Sequence, residues 1–284
     1  LYGGSQSFLD QDAHRLGITH SSIDVADPDG AKAWERVLTS KTRMIYVESI
    51  SNPLMEVGDL EAVVSFARQH DLVSVIDNTF ATPVNFRPAE MGFDLVVHSA
   101  TKYLNGHSDL VAGAVLGSKR AVDRVRHLLL HLGGSLDPNT CFLLERGLKT
   151  LSLRVRRQNE TASRLAEFLE GHPSVRKANY PGLPSSPGHR YARQYFSGFG
   201  GMLSFYLEDA SAAERFLDRV ALPIHAASLG GVESLVVRPA RSSHLGLEQE
   251  ERDRLGITDE LIRVSVGIED PDELMADFEQ ALSG

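Results

Sequence analysis

From residue 43 onward, short runs of β-branched and other apolar residues alternate with stretches in which apolar positions recur at helical spacing. RMIYVE (43–48) reads as a strand. DLEAVVSFARQH (59–70) follows it as a helix, with Leu60, Val63, Val64 and Ala67 at the i, i+3, i+4, i+7 positions of one face and Asp59 placed to cap the first turn. LVSVID (72–77), FDLVVHS (93–99) and LVAGAVLG (110–117) read as further strands, apolar on both faces. Strands of that kind belong to a mainly parallel sheet covered by helices, and the order of elements is a βαβ rhythm. A helical stretch runs from Asp137-Pro138, a cap and first-position pair, to about Leu169 and leads into a second unit. There GMLSFYL (201–207), SLVVRP (234–239) and LIRVSVG (261–267) are candidate strands, with helices expected at about 211–219, 248–254 and 271–283. The last helix opens on Asp270, Pro271 and Glu273, a capping-box arrangement. This second unit is expected to be α+β.

Composition narrows the partners. The chain has 284 residues, 42% of them hydrophobic, enough for one large core or two adjoining ones. Its 29 Lys+Arg and 38 Asp+Glu give a net charge of −9 without a long run of one sign, which argues against a nucleic-acid or anionic-membrane partner and for a small-molecule substrate. A single cysteine, Cys141, excludes an intramolecular disulfide and a Cys-based metal cluster and points to the cytoplasm. No apolar run approaches membrane length, and LYGGSQSFLD has no signal-peptide pattern. Because Leu1 opens directly on a Gly-rich turn, the sequence is expected to begin inside a domain.

In an open α/β sheet, ligands bind outside the carboxyl ends of the strands. Three such ends carry chemistry: Glu48 after MIYV, Asp77 after VSVI, and His98-Ser99-Ala100-Thr101-Lys102 after DLVV. Taken singly, each has a plainer explanation. Asp77, Asn78 and Thr79 are ordinary turn residues, and a lysine after a strand is usually a solvated charge. Their convergence on one crevice is what suggests a site. Ser99 and Thr101 flank the lysine with hydroxyls able to hold a phosphate, and Asp77 is a carboxylate suited to a pyridinium nitrogen, which together is what pyridoxal phosphate (PLP) chemistry requires. Burial and nearby cations would lower the pKa of Lys102 and free it to act as a nucleophile and base. A nicotinamide dehydrogenase ranks below this reading, since no G-x-G-x-x-G joins a first strand to a helix.

The strings YGGS, VESISNP, IDNTFATP, HSATKYLNGHSD, RGLKTL, YPGLPSSPGH, ASLGGVESL and GITDELIRVSVGIED resemble the trans-sulfuration family of Cys/Met metabolism, PLP-dependent enzymes that include cystathionine γ-synthase, cystathionine γ-lyase and methionine γ-lyase. The resemblance covers nearly the whole chain in order. It implies an α/β fold with an aspartate-aminotransferase-like (fold type I) large domain, residues 1–150, whose N-terminal part is missing here, and a smaller α+β C-terminal domain, residues 151–284. It also implies that Lys102 bonds covalently to PLP, Asp77 pairs with the ring nitrogen, Ser99, Thr101 and Thr79 contribute to cofactor binding, and Tyr2 stacks on the ring and moves protons. Arg263, assisted by Asn52 and Ser228, would grip the substrate carboxylate. Glu48 and His244 would support the site, while Gly3, Gly4, Gly230 and Gly231 would serve turns and close backbone approach.

The activity implied is γ-elimination or γ-replacement on a sulfur-containing or activated homoserine-type amino acid, with methionine γ-lyase or O-acylhomoserine sulfhydrylase activity as the alternative. The expected assembly is a homotetramer built from dimers with shared active sites. Two departures qualify the pattern. The family draws further phosphate contacts from a region upstream of YGG and from a neighbouring subunit, so a catalytically incompetent relative serving as a binding subunit is the competing reading. Ala227 stands where cystathionine-handling members often carry glutamate, and methionine γ-lyases carry a cysteine at the position of Gly4. Arg238 and Arg241 are extra charges on the expected substrate side, with plain solvent exposure as their default explanation.

Overall fold

The computed structural model describes residues 1–27, 29–242 and 248–283. Its first sheet has the order β1 (Met44–Glu48), β2 (Val73–Asp77), β3 (Leu95–Ser99) and β4 (Gly113–Gly117). The first three strands are parallel and β4 runs antiparallel to β3. Helix α1 (Leu60–Gln69) crosses between β1 and β2 with Leu60, Val63, Val64 and Ala67 buried, and Asp59 caps it by accepting the Ala62 N–H at 2.9 Å. Loss of such a cap costs about 1 kcal/mol.

β4 corrects the expectation of strands apolar on both faces. It forms the edge of the sheet, and Val115 and Leu116 remain exposed, as does Val111 before it. A helix absent from the sequence reading, α2 (Lys119–Leu132), follows it, capped by Ser118 and with no buried residue. The stretch expected from 137 to 169 is two helices, α3 (Pro138–Leu148) and α4 (Leu151–Gly171), with Asp137 capping the first through the N–H groups of Asn139 and Thr140. The break at Lys149-Thr150 has a visible cause. The Gly147 carbonyl accepts from the side chain of Arg154 at 2.9 Å and from the N–H of Thr150 instead of continuing the i to i+4 ladder.

The second sheet has the order β5 (Lys177–Asn179), β6 (Met202–Tyr206), β9 (Leu261–Ser265), β8 (Leu235–Val237) and β7 (Ile224–His225). All its pairings are antiparallel except β7 with β8. Helices α5 (Ala210–Arg219), α6 (Gln249–Arg254) and α7 (Pro271–Ser283) accompany it, and Asp270 caps α7 through the N–H groups of Asp272 and Glu273. Phe205 of β6, Phe216 of α5 and Phe278 of α7 meet with centroids 5.2 to 6.4 Å apart and anchor this core. Burial of each ring contributes roughly 2–3 kcal/mol. Helix α4 serves both cores: Leu151 and Val155 belong to the first, and Ala162, Leu165, Ala166 and Leu169 to the second. Among the described residues no helix is long and apolar enough to cross a membrane.

Candidate active site

The parallel register aligns the strand ends. Glu48 pairs with Asp77, and Asp77 with Val97, two residues before the end of β3 at Ser99. Side chains alternate along a strand, so Tyr46 and Glu48 share the face on which Asp77 lies. Asp77 is held from both sides. Its Oδ1 accepts from the Thr79 N–H at 2.9 Å and the Thr79 hydroxyl at 2.5 Å, while the Tyr46 hydroxyl donates to Oδ2 at 3.3 Å. The Thr79 oxygen in turn accepts the Ser99 N–H at 2.8 Å, tying the end of β3 to the acid. Burial, then the charges of Asp77 and Glu48, push the Tyr46 phenol far above its ordinary value, so it is a permanent donor. Tyr46 was not among the candidates from sequence, although strand alternation from Glu48 would have found it.

Lys102 lies in the turn that follows β3. Its Nζ donates to the Ser228 hydroxyl at 2.9 Å, and burial followed by the nearby Arg263 charge lowers its pKa below the usual lysine range. Arg263, in the central strand β9, is only 3% exposed. Its Nη1 donates to Asn52 Oδ1 at 3.0 Å and its Nη2 to the Ser228 carbonyl at 3.2 Å. Neither acceptor is charged, and burial brings its pKa down to about 10. The structure thus gathers Lys102, Asn52, Ser228 and Arg263 from opposite halves of the chain. Gly230 sits two residues after Ser228 with φ of +77°, and a Cβ there would lie 2.7 Å from the Tyr103 nitrogen, so the two loops pack backbone to backbone.

Tyr2 is brought to the same end of the sheet through its N–H, which donates to Glu48 Oε1 at 2.5 Å, but it is 55% exposed and its ring lies over Gly4. Burial raises the pKa of Glu48, and burial lowers that of His98 against an opposing contribution from Asp77. The Thr101 hydroxyl is engaged with Ala112, accepting its N–H at 3.0 Å and donating to its carbonyl at 3.2 Å, which closes the 101–112 loop. His244 lies outside the described residues.

Arg238 corrects the expectation of solvent exposure. It is 5% exposed, with Nη1 on Glu214 at 2.8 Å, Nε on the Asp259 carbonyl at 2.8 Å and Nη2 3.3 Å from the Asp259 carboxylate. Arg241 is exposed and also pairs with Asp259. Both charges are therefore compensated within the protein. These two arginines, His225 and Ala227 line a cavity of about 340 Å³.

The donor set fits PLP. Lys102 is half-buried and partnered by a neutral hydroxyl instead of a carboxylate, so its amine is available for a carbonyl carbon. Asp77 is oriented by Thr79 and keeps acceptor capacity on Oδ2 beyond its long bond to Tyr46, as a partner for a protonated ring nitrogen must.

The family model for Cys/Met metabolism PLP-dependent enzymes matches residues 1–283. Cystathionine gamma-synthase 1, chloroplastic, of Arabidopsis thaliana is 44% identical over 282 residues, covering 99% of this chain and 50% of that protein. A cystathionine beta-lyase of Coxiella burnetii is 44% identical over 286 residues, covering 99% of this chain and 73% of its own length. Among solved structures, a cystathionine gamma-lyase from Lactobacillus plantarum complexed with L-serine superposes with a TM-score of 0.94 at 38% identity, over 100% of this chain and 74% of that one. The chain thus spans about half to three quarters of the relatives it matches.

Proposed function

Because the chain belongs to the family of Cys/Met metabolism PLP-dependent enzymes, we propose that it is a carbon–sulfur lyase or transferase that carries out γ-elimination or γ-replacement on a small sulfur-containing or activated homoserine-type amino acid. The observation that carries this reading is the convergence on Ser228, whose hydroxyl meets Lys102 and whose carbonyl meets Arg263. A carboxylate held by Arg263 lies within the same few residues as the amine that must work on the neighbouring carbon.

PLP, when bound, supplies an electron-withdrawing ring that makes the α-proton of an amino acid acidic. The protein supplies the rest. Lys102 would hold the cofactor and serve as the base for the α-proton, a task helped by its lowered pKa. Asp77 keeps a proton on the ring nitrogen, oriented by Thr79 and Tyr46. Ser99 contributes its hydroxyl on the phosphate side, and Thr101 would do so by turning its O–H from the Ala112 carbonyl to the phosphate. Arg263, flanked by Asn52 and Ser228, offers a forked pair of N–H groups to the substrate carboxylate. Tyr2 assists proton movement at the substrate. Elimination would release the γ-substituent with its proton and, with water, give a 2-oxo acid and ammonia, whereas replacement would exchange the γ-substituent for an incoming thiol. The same residues also serve loss of a substituent one carbon nearer, the reaction for which the Coxiella relative is named.

Residues 1–150 are read as the cofactor-binding domain and 151–284 as the smaller α+β domain. A cytoplasmic homotetramer with active sites shared within dimers completes the proposal, supported by the one free cysteine and by the apolar side chains that α2 leaves exposed. The test is a panel of cystathionine, methionine, homocysteine and activated homoserines, with and without thiol, alongside borohydride trapping of PLP. Label on Lys102 with 2-oxobutanoate formed in the absence of thiol supports elimination, and cystathionine formed from an activated homoserine and cysteine supports replacement. Label on Lys102 without turnover of any substrate would refute the γ-chemistry. Absence of label would refute the cofactor site and favour the incompetent binding subunit.

A further inference from the structure

Behind the Lys102 turn lies a cation with no part in the chemistry above. Arg154 of α4 is 4% exposed. Its Nη1 donates to the Tyr103 carbonyl at 2.9 Å, its Nη2 to the Gly147 carbonyl at 2.9 Å and to that of Asn105 at 3.5 Å, and its Nε to the Thr150 hydroxyl at 3.1 Å. None of these partners is a carboxylate. A buried guanidinium is tolerated only where its N–H groups are satisfied, and here two of the four acceptors are backbone carbonyls of the turn carrying Lys102. The fit is close: Gly106, at the end of the turn, has φ of +77°, and a Cβ there would lie 2.0 Å from Arg154 Nη1.

One helical turn further along α4, the fully buried Gln158 donates to the Gly231 carbonyl at 2.7 Å. Residues four apart lie on one helix face. That face therefore grips both the 102–106 turn and the segment that follows Ser228. The two are also joined directly, since the Val232 N–H donates to the Gly106 carbonyl at 3.0 Å. Lys102 and Ser228 are thus the facing ends of two loops fastened to the same helix.

We propose that Arg154 is a positioning residue for Lys102: together with Gln158 it fixes the 102–106 turn and the 228–231 segment to α4, so that the lysine amine is kept against Ser228 and close to Arg263. The proposal rests on the reading of Lys102 as the cofactor lysine. If the turn is freed, the amine swings toward water and away from Arg263, losing both influences that lower its pKa.

The test uses the full chain and its Arg154→Lys, Gln158→Ala and Gly106→Ala variants. Competitive acetylation read by peptide mass spectrometry gives the pH midpoint of Lys102 without cofactor, with the exposed Lys119 and Lys149 as internal standards. Arg154→Lys keeps a charge but loses the fork. It is expected to move the midpoint up by about one pH unit, a roughly tenfold loss of neutral amine at a fixed pH. In the holoenzyme kcat is expected to fall while KM stays within about twofold. Gln158→Ala and Gly106→Ala are expected to shift the midpoint in the same direction, and they carry the test if Arg154→Lys fails to fold. Folded variants that keep the wild-type midpoint overturn the positioning role. Failure of borohydride to fix PLP on wild-type Lys102 overturns the cofactor reading instead, and leaves the midpoint comparison to decide the fate of Arg154.

Discussion

Replacing Arg263 with methionine should separate what the residue does for substrate from what it does for the fold. The guanidinium is buried with two neutral acceptors, and its fall from the ordinary arginine value to about 10 corresponds to roughly 3 kcal/mol set against the charged form. Methionine relieves that cost but strands Asn52 Oδ1 and the Ser228 carbonyl, at roughly 1–3 kcal/mol each where water cannot reach them. The two effects nearly offset, so the unfolding free energy in urea is expected to stay within about 2 kcal/mol of wild type. Binding should not be spared. Loss of a forked, charge-assisted contact worth about 3 kcal/mol weakens affinity for the substrate carboxylate on the order of a hundredfold, measurable by titrating an unreactive amino acid into the holoenzyme. The sign with pH follows. For a base whose folded pKa is lowered, the destabilisation is complete below about 10 and fades only as pH rises toward the unfolded value, so the stability difference between variant and wild type should be flat from about pH 6 to 9. A loss of more than about 4 kcal/mol in stability, or unchanged amino-acid affinity, would refute this reasoning.

Two further experiments bear on the acids. Burial raises the Glu48 pKa, so the stability it contributes is present below the ordinary glutamate value and is lost as pH rises through the raised folded value; Glu48→Gln should remove that dependence while keeping an acceptor for the Tyr2 N–H, and parallel stability profiles for the two proteins would contradict it. Thr79→Val deletes a short bond to Asp77 and strands the Ser99 N–H, whereas Tyr46→Phe deletes a long one. Equilibrium PLP binding followed by absorbance should therefore weaken by tenfold or more, on the order of 2 kcal/mol, in the first and by less than about fivefold in the second, and the reverse order would disprove the proposed support of Asp77.

The strand ends that matter were legible in the sequence because the alternation of apolar runs and helices sets them, and register then places Glu48 beside Asp77. The face of α1 was legible for the same reason of period. What escaped was decided by partners distant in sequence. Arg238 in SLVVRP looks solvent-bound because Glu214 and Asp259, which neutralise it, lie 24 and 21 residues away on other elements. Arg154 looks like one more charge on a polar helix, since the carbonyl of Tyr103 that it meets is 51 residues distant. The LVAGAVLG run was misjudged for a different reason: apolar content reports that a strand is suited to burial, but an edge position leaves part of it uncovered. The missed α2 does carry an apolar stripe, Val122, Val125, Leu129 and Leu132 at helical spacing, but no residue of the helix is buried.

The contacts that unite the site also constrain how it assembles. Lys102 and Ser228 are 126 residues apart and Asn52 and Arg263 are 211 apart, so both pairs close very long loops, contacts of the kind that form late in folding and slow it. Asn52 and Lys102 follow strands of the first sheet, whereas Arg263 lies in the second and Ser228 between two of its strands. The pocket is therefore the clasp between the two cores. A molecule that bridges Lys102 and Arg263 draws both loops shut at once, and by mass action a ligand at a hundred times its Kd adds about 2.7 kcal/mol to the folded state. Ligand occupancy would then set how long the two cores stay docked, and protease resistance at their junction should rise with it.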